Sequence, residues 1–87
     1  MRISVSIPAY DERENVERLL PSLRSLCPEA DLIVIDDNSP DGTGDLVETL
    51  RQTDPRIHLI RRPGKDGYAS ALKAGHQYGL DHGAEIL

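Results

Sequence analysis

Short apolar blocks alternate along the chain with stretches of helical periodicity. ISVSI (3–7) alternates apolar with polar and is rich in β-branched residues, which predicts a strand that Pro8 ends. Asp11, with Glu14 three residues on, predicts a capped helix start. Val16, Leu19, Leu20, Leu23 and Leu26 then follow at helical spacing, giving a helix over about 13–26, bent near Pro21. LIVI (32–35) is a continuous apolar run, the pattern of a strand covered on both faces. SPDGTG (39–44) is turn chemistry, and Leu46, Val47 and Leu50 mark a second helix over about 43–53. IHLI (57–60) predicts a third strand, and RRPGKDG (61–67) a loop. Ala69, Ala71, Leu72, Ala74, Gly75, Tyr78 and Leu80 lie on a third helix over about 67–82, whose small residues suit close packing on a sheet, with Gly83 as its cap. AEIL (84–87) begins a fourth strand.

The order βαβαβαβ predicts an α/β fold: a Rossmann-like parallel sheet with right-handed crossovers and helices on both faces. The first strand is expected at the centre, with the second and third on one side and the fourth on the other. The brief fourth strand suggests that residues 1–87 are the front part of a larger fold, leaving an edge that invites self-association or a partly ordered C-terminus.

Composition narrows this further. With 87 residues the chain makes one small domain, and without Phe or Trp its core must be aliphatic. The lone Cys27 excludes a disulfide framework and a cysteine-based zinc site, and fits a reducing compartment. No apolar stretch approaches the roughly 20 residues of a membrane span, and no signal-peptide pattern opens the chain. The expected location is the cytoplasm, or the membrane periphery for the parent protein. The net charge is −5, but residues 1–54 carry 5 basic and 12 acidic side chains, whereas 55–87 carry 5 basic and 3 acidic. That balance argues against nucleic acid as a partner and leaves a local positive patch around Arg61, Arg62 and Lys65.

In open α/β sheets, ligands bind beyond the carboxyl ends of the strands. The loops leaving those ends are PAYDERE, DDNSPDGTG and RRPGKDG. Asp36 and Asp37 are adjacent, so in a strand they point to opposite faces and do not form a joint acid/base pair. One of them suits a ribose diol, the N–H pair of a guanine edge or a divalent cation, and the other caps the following turn; spacing does not say which. Lys65, between Gly64 and Gly67 just before a helix, suits a diphosphate, although the string is not a P-loop. Tyr10 is placed to stack on a base. His58, His76 and His82 share no metal-ligand spacing and read as structural, and Ser39 has no paired base to make it a nucleophile.

VSIPAYDERENV, IVIDDNSPDGTG and the stretch from GKDG to AGHQYGLDHG, in this order, resemble family 2 glycosyltransferases of the GT-A fold. Within that family the strings look most like those of polyprenol (dolichol) phosphate mannose synthases. The resemblance covers essentially the whole chain and implies inverting transfer of mannose from the nucleotide-sugar donor GDP-mannose to a polyprenyl phosphate acceptor. It implies that Pro8, Tyr10 and Glu12 border the base and ribose, that Ile35 and Asp37 complete the pocket, and that Lys65 stands near it, with Asp36 in a supporting role. Asp11 replaces the usual Asn, and Ala69 replaces a usual Gly. The family's Asp-x-Asp metal motif follows the fourth strand, so the divalent cation (Mg or Mn) expected for the parent enzyme has its ligands outside these residues. The expectation is nucleotide binding without useful transfer by the 87 residues alone.

Two other families of reading remain. A family 2 enzyme using a UDP-sugar with a lipid or polysaccharide acceptor, or a nonenzymatic nucleotide-binding or interaction module, would share these strings. A phosphorylated receiver domain does not fit, because its acidic pair ends the first strand and its acceptor Asp the third, whereas here the pair ends the second and IRRPG lacks an Asp.

Overall fold

The computed structural model describes residues 3–63, 68–81 and 85–86. Seven elements follow in chain order: β1 (Ile3–Ala9), α1 (Arg13–Leu26), β2 (Asp31–Asp36), α2 (Thr43–Leu50), β3 (Ile57–Arg61), α3 (Tyr68–Asp81) and β4 (Glu85–Ile86). The strands form one sheet in the order β3-β2-β1-β4, and every pairing is parallel. The expected βαβαβαβ layout and the position of β1 between β2 and β4 are both borne out.

The β1 strand is longer than its pattern suggested, running through Pro8 to Ala9. The Ala9 carbonyl accepts the Asp37 N–H at 3.2 Å, so Ala9 faces β2. Strand backbone groups alternate sides, which turns the missing N–H of Pro8 toward β4. The described β1–β4 pairs are Ile3 with Glu85 and Ser4 with Ile86.

All six residues of β2 are buried, as a strand covered on both faces requires. On one face Leu32 and Val34 meet Val16 and Leu20 of α1, Val47 of α2 and Ile7 of β1. On the other, Ile33 and Ile35 meet Ala71 of α3, with Ile60 and Tyr78 packed alongside. Burying each such aliphatic side chain contributes about 1.5–3 kcal/mol. Of the five apolar positions on α1, only Val16, Leu20 and Leu23 join this core; Leu19 and Leu26 face solvent at 40% and 79% exposure. The helix is continuous through Pro21. At its C-terminal end Arg24 donates to the carbonyls of Cys27, Pro28 and Ala30 and pairs with Asp54 at 2.7 Å. The second helix ends at Leu50 rather than 53, because Thr53 and Asp54 close the chain into a turn through N–H bonds to the Leu50 carbonyl.

His58 is structural, as expected. Its Nε2 lies 2.9 Å from the buried Asp31 carboxylate and its Nδ1 3.2 Å from the Tyr78 hydroxyl. His82, Gly83 and Lys65 lie outside the described residues.

Helix α3 rests unusually close to the sheet at Gly75. A Cβ there would stand 2.5 Å from Ser6 Oγ and 2.8 Å from both Ser6 Cβ and Ile35 Cδ1. Ser6 is small for the same reason, and its enclosed hydroxyl has no hydrogen-bond partner among the described residues. Gly75→Ala should therefore lower the urea midpoint, since overpacking costs about 1–3 kcal/mol and outweighs the roughly 1 kcal/mol gained in helix propensity. Ser6→Ala should leave the midpoint equal or higher, because it removes a buried polar group that nothing satisfies. An unchanged midpoint in Gly75→Ala would mean that α3 does not sit on the sheet at this distance.

Candidate functional site

Parallel pairing delivers the chain to one rim three times, at Tyr10–Glu12 after β1, Asp37–Gly42 after β2 and Arg62–Pro63 after β3. The rim is stitched by backbone bonds from Asp37 N–H to the Ala9 carbonyl at 3.2 Å and from Arg62 N–H to the Asp36 carbonyl at 2.8 Å. Asn38 turns the chain out of β2 with φ of 60°, a left-handed conformation that Asn tolerates, and its side-chain amide donates to the Pro63 carbonyl at 3.4 Å.

The two carboxylates part company as strand alternation requires. Asp36 faces α2, where the absence of a side chain at Gly44 makes room: a Cβ there would stand 2.5 Å from Asp36 Oδ2. Its Oδ1 accepts both the Ser39 N–H at 3.2 Å and the Ser39 hydroxyl at 2.5 Å. Asp36 is thus the member that holds the following turn.

Asp37 faces the α3 side and meets Arg62 in a two-pronged pair, Nε to Oδ1 at 2.5 Å and Nη2 to Oδ2 at 2.8 Å. Side-chain exposure is only 7% for Asp37 and 13% for Arg62, so this is a largely buried ion pair. The remaining guanidinium nitrogen, Nη1, donates to Ser70 Oγ at 2.8 Å on the first turn of α3. Arg61, one residue earlier, turns the other way to Asp45 at 2.9 Å and is exposed, so its pair contributes little.

The loop after β1 is held from outside. Asp11, expected to cap α1, instead has φ of 55°. Glu12 occupies the cap position and makes no side-chain cap bond. The first helical N–H, that of Arg13, is accepted by Asp41 Oδ2 at 2.8 Å, and the Asp11 N–H by Ser39 Oγ at 3.0 Å. Asp41 Oδ1 accepts the Thr43 N–H at 3.0 Å and the Thr43 hydroxyl at 2.5 Å. The Thr43 hydroxyl first, and then the Arg13 N–H, hold the Asp41 carboxyl below its ordinary value of 3.8.

Of the six residues expected to line a nucleotide site, Tyr10 is 39% exposed on the rim and Glu12 is exposed beside it. Glu12 lines an open cleft of about 410 Å³ together with Asp11, Arg13, Glu14, Asn15 and Asp41. Pro8 is half-buried, and Ile35, paired with it across the ladder, is completely buried beneath α3 and can only form a floor. Asp37 is buried against Arg62, and Lys65 is outside the described residues. Sequence reasoning passed over Ser39, Asp41 and Ser70 as partners. For Arg62 the available signal was the excess of acid in the first part of the chain over the second. Among the described residues no group of three or more His, Cys, Asp or Glu side chains converges to hold a metal ion.

Removing the guanidinium strands a buried carboxylate. Arg62→Met should cost about 3–5 kcal/mol, and adding Asp37→Asn to that background should recover part of it in urea denaturation. An additive double-mutant cycle would contradict the pairing. Asp41 gives a pH signature: because its folded-state pKa is depressed, its stabilisation is fully present above 3.8 and is lost as pH falls through the lower folded value. The stability gap between the natural chain and Asp41→Asn should thus be constant near neutrality and close in acid.

Residues 4–79 match the model of the family described as glycosyl transferase family 2. Over 87 residues the chain is 44% identical to an undecaprenyl-phosphate mannosyltransferase of Micrococcus luteus, covering 100% of this chain and 36% of that protein. It is 41% identical to a polyprenol monophosphomannose synthase of Mycolicibacterium smegmatis, covering 99% of this chain and 33% of that protein. The chain therefore spans about a third of the length of these relatives. Among solved structures, the mannosyltransferase PcManGT from Pyrobaculum calidifontis, in complex with GDP-Man and Mn2+, matches with a TM-score of 0.79 at 26% identity, covering 88% of this chain and 24% of that one. That likeness bears out the expected Rossmann-like layout of a GT-A enzyme. A family match running from β1 nearly to the end of α3, with whole-chain identity above 40% to two curated members, establishes that this chain belongs to glycosyl transferase family 2.

Proposed function

We propose that residues 1–87 are the nucleotide-sugar-binding part of an inverting glycosyltransferase that moves mannose from GDP-mannose to a polyprenyl phosphate. The observation that carries this reading is the placement of Tyr10, Glu12 and Asp37 on loops of one sheet rim, in a chain whose relatives are mannosyltransferases of polyprenyl phosphates. A carboxylate complements the paired N–H donors of a guanine edge, and a tyrosine ring covers a base face. In this reading Asp37 takes the guanine edge, Tyr10 the ring face and Glu12 the ribose. Pro8 and Ile35 support them from the strands, and Lys65 lies toward the diphosphate.

Arg62 shapes what Asp37 can do. Each carboxylate oxygen has more than one lone pair, so a fork to a guanidinium and a bond from a base are compatible on one carboxylate. The two-pronged pairing with the guanidinium fixes the plane of the carboxylate, which favours a rigid, directional acceptor over a mobile one.

Departure of a nucleoside diphosphate develops negative charge, and a divalent cation supplies the compensation when bound. The 87 residues by themselves are proposed to bind nucleotide without transferring sugar. No helix among the described residues is long and apolar enough to cross a membrane. In this reading the acceptor lipid is met at the cytoplasmic face of the membrane, and the sheet edge at β4 is the proposed surface for self-association.

Calorimetric titration with GDP, UDP and GMP tests site competence and base choice together. GDP should bind more tightly than UDP, and GMP more weakly than GDP. Asp37→Asn should weaken GDP by about tenfold or more, the scale of a hydrogen bond to a charged group. Equal binding of UDP and GDP would refute the guanine assignment, and no binding of any of the three would refute the nucleotide reading.

A further inference from the structure

The string that follows the two carboxylates has a role that neither the nucleotide chemistry nor the family assignment supplies. We infer that Ser39 and Asp41 are positioning residues: they form a brace that reaches 28 residues back along the chain and sets the loop carrying Tyr10 and Glu12. This rests on the nucleotide reading above.

The geometry is specific. Ser39 Oγ uses both of its capacities, donating to Asp36 Oδ1 and accepting the Asp11 N–H at 3.0 Å. Asp41 uses both of its oxygens, Oδ2 for the Arg13 N–H and Oδ1 for Thr43. The amides on either side of Glu12 are therefore held by two different side chains of the β2–α2 loop. The loop has no comparable device of its own, since Glu12 makes no side-chain cap bond and Asp11 sits at φ of 55°. A non-glycine residue in the left-handed region costs energy and persists only when its surroundings hold it there, and the bonds from Ser39 and Asp41 supply that hold.

The brace also has a rigid foot. Asp36 is 2% exposed and lies against the first turn of α2 at Gly44, and Thr43 is completely buried. A chain of bonds thus runs from the buried sheet end through Asp36 and Ser39 to Asp11, and a second runs from the start of α2 through Asp41 to Arg13. Neither Ser39 nor Asp41 needs to touch a ligand for its loss to move Tyr10 and Glu12.

The test uses amide hydrogen exchange and GDP titration on the same samples. In the natural chain the Asp11 and Arg13 amides should exchange slowly. Ser39→Ala should release Asp11, and Asp41→Asn should release Arg13, each by about tenfold, with GDP affinity falling by a similar factor. Ser39→Thr, which keeps the hydroxyl, should restore both to within about twofold, and Asp36 and the β2 amides should stay protected in all variants. A variant that unfolds would show loss of protection throughout β2, and Ser39→Thr then carries the comparison: its failure to retain slow exchange at Asp11 would overturn the brace. Released amides with undiminished GDP binding would overturn the positioning role while leaving the nucleotide site standing. If the natural chain binds no GDP, the nucleotide reading and the positioning role fall together, and the exchange data still report separately whether the two bonds exist.

Discussion

The parallel pairing of β1 with β2 is the constraint on which the rest depends. Had β2 run antiparallel, the loops after Ala9 and Asp36 would leave opposite ends of the sheet. Parallel register instead sets Ala9 against Asp36, and the Asp37 N–H then closes on the Ala9 carbonyl one step beyond the strand. That juxtaposition brings the loop carrying Tyr10 and Glu12 and the loop carrying Asp37 to the same end of the sheet. It requires α1 as a crossover, and α1 in turn requires a covered face, supplied by Val16, Leu20 and Leu23 against the sheet.

Two adjacent carboxylates can do different work because strand alternation separates their surroundings. Asp36 is consumed by the turn that follows it, whereas Asp37 is buried against the planar Arg62 cation. A buried, forked carboxylate is costly to form and weak as a source of stability, since desolvation offsets much of the attraction. Under the proposed nucleotide reading, it serves as a fixed acceptor at the rim. The same economy explains Arg62, which neutralises Asp37 and, through Ser70, ties the rim to the start of α3.

Much of this was legible in the sequence because it is written in local patterns. LIVI announces a strand buried on both faces, and the small residues of α3 announce close approach to a sheet, made real at Gly75. The opposed directions of Asp36 and Asp37 follow from a period of two. The misreadings came where a long-range partner overrode a local signal. Asp11 and Glu14 have the spacing of a capping box, yet the helix start is capped by Asp41 from another loop. Pro8 reads as a strand end, but its missing N–H faces away from β2, so the β1–β2 ladder runs on through it. Leu19 and Leu26 fit the helical period and still face solvent, because a short helix on a narrow sheet buries only one strip of its surface. The bonds of Ser39 to Asp36 and to the Asp11 amide, 28 residues away, left no local signal in the sequence.

The central claim is that the loops after β1 and β2 form one cradle for a nucleoside. Following backbone amide resonances of the chain during addition of GDP examines it most directly. The account requires the largest changes at Tyr10–Glu12 and at Asp37–Ser39, with little effect at the opposite ends of the strands around Ala30–Leu32 and Ile57. Changes centred on those opposite ends, or confined to only one of the two loops, would contradict it.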